Sequence, residues 1–237
     1  MWGLRSFRVA CTSRPVLEGQ DLLTAVNQYA YARTHPLSED RIQTIRAHLA
    51  KSPYADTPVD PALSLAFERT KAKLIGYFGQ PQLTLRQYPE SDTTVPARYA
   101  RAFAYSRTPD VPKALATLDS LLADVPDDPY FLELKAQVLL IESATTENLN
   151  EAVKHLKFAL FRNPQMPGAW RNLGIAHGRL GNVGESALAL AEEALLQGRN
   201  VDAAFHAGKA AEMFPRGSPE WLQAEDLLLA IKNAKAK

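Results

Sequence analysis

Ala152–Pro164 reads AVKHLKFALFRNP. Ala152 is followed by Leu156 four positions on, by Ala159 three further, and by Pro164 five after that. The same grammar recurs as Ala114/Leu118/Leu121/Pro126 and as Ala203/Ala207/Ala210/Pro215. Steps of four and three place the first three residues of each set on one helical face. The proline, which lacks an N–H, stops the helix. Small side chains on that face let a preceding helix approach closely, so three copies of the pattern predict a repeated pair of packed helices.

The spacing between copies sets the repeat length. Pro126 to Pro164 is 38 residues, one repeat of about 34 residues with about four inserted. The polar run Glu142–Asn150 predicts that the insertion makes a longer loop. Pro164 to Pro215 is 51 residues, roughly one and a half repeats, and a half-repeat is one helix with its turn. Trp170, Leu173 and Gly174 match the W-x₂-L-G opening of a tetratricopeptide first helix. Leu190, Ala191, Ala194 and Gly198 precede Ala203 with the same offsets. The expected fold is therefore all-α, a tetratricopeptide-type right-handed helical-hairpin solenoid with an N-terminal helical extension.

Punctuation predicts helices over 95–107, 111–125, 130–143, 149–163, 167–180, 184–197, 201–214 and 219–233. Asp128-Pro129 and Ser218-Pro219 each set a capping residue before a first-turn proline. Asn148 with Glu151 has capping-box spacing, and Gly181 is placed to end a helix after Leu180. Trp221, Leu227 and Leu228 suit either a terminal capping helix or a self-association face. No segment alternates in the two-residue rhythm of a strand. Toward the N-terminus, helices are expected over 18–31, 38–51 and 60–78, with Ser38 and Asp60-Pro61 as starts and a linker punctuated by Pro81 and Pro89. Three segments follow: 1–17, a disordered or wrongly assigned start; 18–90, helices and linker; and 91–237, the repeat domain.

Composition narrows the function. A net charge of +1 gives no field for nucleic acid or an anionic membrane. No run approaches the roughly 20 apolar residues of a membrane span. The single cysteine, Cys11, rules out an internal disulfide. Met1–Leu17 carries Arg5, Arg8 and Arg14 but lacks the apolar core of a secretory signal.

Catalytic patterns are missing. His35, His48, His155, His177 and His206 form no H-E-x-x-H pair, no phosphate-cradling glycine loop is present, and there is no G-x-S-x-G elbow. Glu192-Glu193 reads as a solvated face and Asp127-Asp128 as a helix cap. His177 stands where the repeat wants a bulky aromatic, which favours packing over ligation.

A second likeness begins at Thr34-His35-Pro36-Leu37 with Arg41-Ile42. It continues through Ser52–Asp56, Tyr88–Asp92, Pro96–Ala102, Asp128–Phe131 and Ala187–Leu196. These segments resemble the end of the catalytic domain and the tetratricopeptide domain of bacterial envelope zinc metallopeptidases of the BepA type. The resemblance makes 18–90 a remnant of the peptidase domain. It implies a zinc endopeptidase of outer-membrane protein quality control, and a periplasmic or cell-envelope setting. His35 becomes an auxiliary metal ligand by this resemblance alone. The H-E-x-x-H helix is absent from the sequence, and one imidazole cannot supply the three protein ligands of a catalytic zinc. No cofactor is therefore expected for this chain, and zinc only in a full-length peptidase context.

The expected activity is thus non-catalytic binding of a protein or peptide segment. The outer-membrane assembly machinery or a separate catalytic half are the partners the resemblance implies, with no nucleic acid and no membrane span. First helices build the concave face of such a stack. The repeat register points Tyr99, Phe103, Gln137, Ile141, Arg171, Ile175 and Arg179 into it. Their four-residue spacings form stripes, in which aromatics would anchor a ligand and arginines would fork onto a partner carboxylate.

Overall fold

The structure, a computed structural model, describes residues 38–142 and 145–234. The expected helix over 18–31, Cys11 and His35 lie outside the described residues. Among the described residues there are eleven helices and no strand. They are α1 (Ser38–Lys51), α2 (Pro61–Phe78), α3 (Pro81–Gln87), α4 (Val95–Ser106), α5 (Val111–Asp124) and α6 (Pro129–Glu142). The remainder are α7 (Thr146–Arg162), α8 (Pro167–Arg179), α9 (Val183–Leu196), α10 (Asn200–Met213) and α11 (Pro219–Ala234). The chain divides into two compact units, one ending at Lys71 and one beginning at Ala72.

In the first unit, α1 buries Leu49, and the Asp60 carboxylate accepts from Ala62 N (2.9 Å) at the start of α2.

In the second unit each helix from α4 onward packs against the next in the chain. Ala114, Leu118 and Leu121 are wholly buried, as are Ala152, Leu156 and Ala159, and Ala203, Ala207 and Ala210. The recurring stripes are therefore the seams of the stack. The first seam joins α4, α5 and α6 around Tyr99, Phe103, Leu118 and Phe131. The second joins α6, α7 and α8 around Leu139, Leu156, Leu173 and Ala176. The third, between α9, α10 and α11, is built largely of alanine. Leu227 is buried there with Leu228 beside it, so α11 packs onto the stack through this seam.

The expected caps at Asp128 and Ser218 form: Asp128 Oδ1 accepts from Tyr130 N (3.0 Å) and Phe131 N (3.2 Å), and Ser218 Oγ from Trp221 N (3.1 Å). Gly181 adopts φ +80°, the left-handed conformation that ends α8 without a Cβ penalty. Two expectations fail. The four inserted residues do not make a long loop: they lengthen α7 to 17 residues, and its cap is Thr145, whose Oγ accepts from Asn148 N (3.3 Å). Asn148 therefore lies inside the first turn rather than ahead of it. The linker between Pro81 and Pro89 is also not all linker, because Pro81 starts the seven-residue helix α3.

The half-repeat has a visible effect on packing. Next-but-one contacts join α4 to α6 and α6 to α8, and then α9 to α11. Thus α9 is the second helix of the pair it forms with α8 and the first helix of the pair it forms with α10. The row of first helices passes from the even-numbered to the odd-numbered helices.

Candidate peptide-binding face

The face of α4 and α6 is closed at one end by the last turn of α2. Gly76 makes this approach possible: a Cβ there would lie 2.8 Å from Phe103 Cβ and 2.9 Å from the Ala100 carbonyl. Arg107 Nη1 then holds the end of α2 by donating to the carbonyls of Tyr77 (2.6 Å) and Gly79 (2.7 Å). These carbonyls are among the unsatisfied acceptors of a helix C-terminus, where a guanidinium is the favoured partner. On the far side of α4, the buried Arg101 pins the 88–92 loop by donating to Pro89 O (2.6 Å) and Asp92 O (2.8 Å).

A cavity of about 320 Å³ results, with Tyr99 and Phe103 in its lining beside Gln137. Tyr99 and Phe103 are buried, their rings 5.1 Å apart, with Phe131 4.9 Å from Tyr99. They are thus core residues as well as the floor of the hollow. Tyr77, Phe78 and Tyr130, all exposed, complete the aromatic lining. Tyr77 stands edge-on to Phe103 at 6.0 Å. Glu133 also lines the cavity, one helical turn before Gln137 on the 133/137/141 stripe of α6. That four-residue spacing is the signal that would have exposed it in the sequence. Burial raises the Glu133 carboxyl above its ordinary pKa, opposed by the Lys73 charge.

The remaining predicted residues lie outside this cavity. Ile141 and Ile175 are exposed. Arg179 Nη1 donates to Leu140 O (2.6 Å), so the last turns of α6 and α8 touch beside Ile141. Arg171 lies against α9, with Nε 3.1 Å and Nη2 3.0 Å from Glu193 Oε1. Arg199 takes the other Glu193 oxygen. Glu193 is 2% exposed, so it belongs to the interior and not to the solvated surface its neighbour Glu192 suggested. Both predicted arginines therefore already have partners within the chain.

A larger cavity, about 670 Å³, opens between α7 and α11, across α8 and α9. Val153, Phe161, Trp170, His177, Glu220 and Gln223 are among its lining residues. His177 is buried, as its aromatic position in the repeat requires, and burial lowers its pKa. Burial likewise lowers that of His155, whose Nε2 lies 3.2 Å from Glu151 Oε1. Among the described residues no three His, Cys, Asp or Glu side chains are grouped to hold a metal ion, and no helix is long and apolar enough to cross a membrane.

Residues 144–218 match the tetratricopeptide repeat family. The fold, helical hairpins stacked along α4 to α11, is a tetratricopeptide-type all-α solenoid. Among solved structures, MamA MSR-1 is 17% identical with a TM-score of 0.46, covering 74% of this chain and 99% of its own. MamA AMB-1 is 19% identical with a TM-score of 0.46 and the same coverages. TTC0263, a thermophilic tetratricopeptide protein in Thermus thermophilus, is 21% identical with a TM-score of 0.42, covering 68% of this chain and 99% of its own. No curated protein matches the sequence.

Proposed function

We propose that this chain is a non-catalytic interaction module that binds a protein or peptide segment on the face of α4, α6 and α8. The observation that carries the reading is the aromatic cavity between α2, α4 and α6, continued by the exposed Ile141 and Ile175. Apolar side chains left open beside a rigid hollow suit the anchor residues of a peptide laid along a helical groove. The matched repeat family supports the same class of activity. Arg171 and Arg179 serve the scaffold in this reading and do not need a ligand carboxylate. Descent from a BepA-type peptidase is supported only by the sequence segments that resemble that family, and the matched repeat family adds nothing to it.

Selection of a random-peptide display library on the full chain tests the proposal. Enriched peptides should bind with about micromolar affinity and lose it against the Ile141→Glu/Ile175→Glu double variant, with helical circular dichroism unchanged. Failure to enrich any peptide, or equal binding to the variant, overturns the assignment.

A further inference from the structure

We infer that the cavity of α2, α4 and α6 is a receptor for a basic side chain, a lysine or arginine presented by the partner segment. The inference rests on the binding-face reading and gives that face its chemistry. Around one hollow stand five aromatic rings, those of Tyr77, Phe78, Tyr99, Phe103 and Tyr130, and a single carboxylate, Glu133. Glu133 makes no hydrogen bond or ion pair among the described residues. Its Oε1 lies over the first turn of α8, where a Cβ on Gly168 would come within 2.3 Å of it. A half-buried carboxylate left without a donor is costly, and its cost is removed by a cation.

The chain supplies a stand-in. Lys73, on α2, places Nζ 4.5 Å from the centroid of the Tyr130 ring, at the rim of the same cavity. Its charge acts on Glu133 without reaching hydrogen-bond distance. A ring face attracts an ammonium or guanidinium through its quadrupole, and the attraction grows as water is excluded. The aliphatic stem of a lysine or arginine would lie along Tyr77 and Phe103 while its head meets Glu133. The other charges of the face do not compete, because Arg171 and Arg179 are held on Glu193 and on the Leu140 carbonyl. The preference is thus for a cationic ligand, the opposite of what the arginines alone suggested.

The test titrates isotope-labelled full chain with Nα-acetyl-lysine amide and with Nα-acetyl-norleucine amide, which has a similar stem and no charge. Backbone amide shifts of Tyr130, Glu133 and Gly168 are the readout. The lysine probe should bind about tenfold more tightly than the norleucine probe. Glu133→Gln should erase that preference, and Lys73→Met should tighten the lysine probe severalfold by removing the internal competitor. Equal affinities for the two probes, or a preference that survives in Glu133→Gln, overturn the inference. Display-selected peptides that still bind the face in the absence of that preference would leave the interaction module standing and remove only its basic ligand. Loss of the selected peptides as well would remove both.

Discussion

Arg171→Ala separates a scaffold arginine from a ligand arginine. In the native chain the Arg171 side chain is 58% exposed while the Glu193 side chain it meets is 3% exposed. A unit charge pair at about 4 Å is worth about 1 kcal/mol in water and about 4 kcal/mol at the effective dielectric of a protein surface. This pair lies between those limits, since the guanidinium end is wet and the carboxylate end is dry. Holding an arginine in one rotamer costs up to about 2 kcal/mol, and solvent screens the exposed end. Arg199 remains on the second oxygen, so Glu193 is not orphaned. The expected loss is about 1–2 kcal/mol, a fall of roughly 2–8 °C in Tm for a chain of this size. Urea denaturation followed by circular dichroism at 222 nm measures it, and the double cycle with Glu193→Gln isolates the pair. An unchanged midpoint, or additive single effects in that cycle, would refute the scaffold role and return Arg171 to the ligand.

Leu156→Ala should cost about 3–5 kcal/mol, the transfer of three carbons plus an unfilled void, because Leu156 is wholly buried between α6, α7 and α8; the urea midpoint reports it. Gly76→Ala should cost about 1–2 kcal/mol net: helix propensity gains about 1 kcal/mol, but the new methyl meets a backbone carbonyl at 2.9 Å and overpacks the α2–α4 crossing. An unaltered urea midpoint in that variant would show that the crossing has slack. His177 is held below its ordinary pKa by burial. The unfolded chain therefore takes up a proton first, and stability falls as pH drops below about 6.5 toward the lower folded value. His155 adds to the same slope. In His177→Phe that acid-side decline should be shallower, read as Tm against pH from 8 to 5, and an identical decline would contradict the assignment.

Much of the fold is legible in the sequence because its signals are local. Small residues at steps of four and three, with proline after them, mark a seam wherever they recur, and Asp128 and Ser218 cap where a cap residue precedes proline. What escapes depends on partners distant in sequence. A charged pair such as Glu192-Glu193 looks solvated until Arg171 and Arg199 arrive from elsewhere to neutralise the second of them. The inserted residues look like loop because they are polar, but the cap forms at Thr145, three positions before Asn148, and they join α7. The stripe on α6 is half legible, since Gln137 and Ile141 fall on the face by register alone. Glu133 shares that four-residue register, but an acidic residue on a helix is usually read as a surface residue. The approach of α2, set by Gly76 and Arg107, and the first turn of α8 at Gly168 together enclose it.

The doubled duty of α9 has a geometric consequence. A hairpin added to such a stack keeps the alternation of first and second helices, whereas a lone helix exchanges them. The small cavity involves α4 and α6, while the large one opens between α7 and α11 across α8 and α9, so the two hollows share no lining residue. Ligands in the two hollows would therefore meet different side chains, and a substitution in one lining leaves the other lining intact.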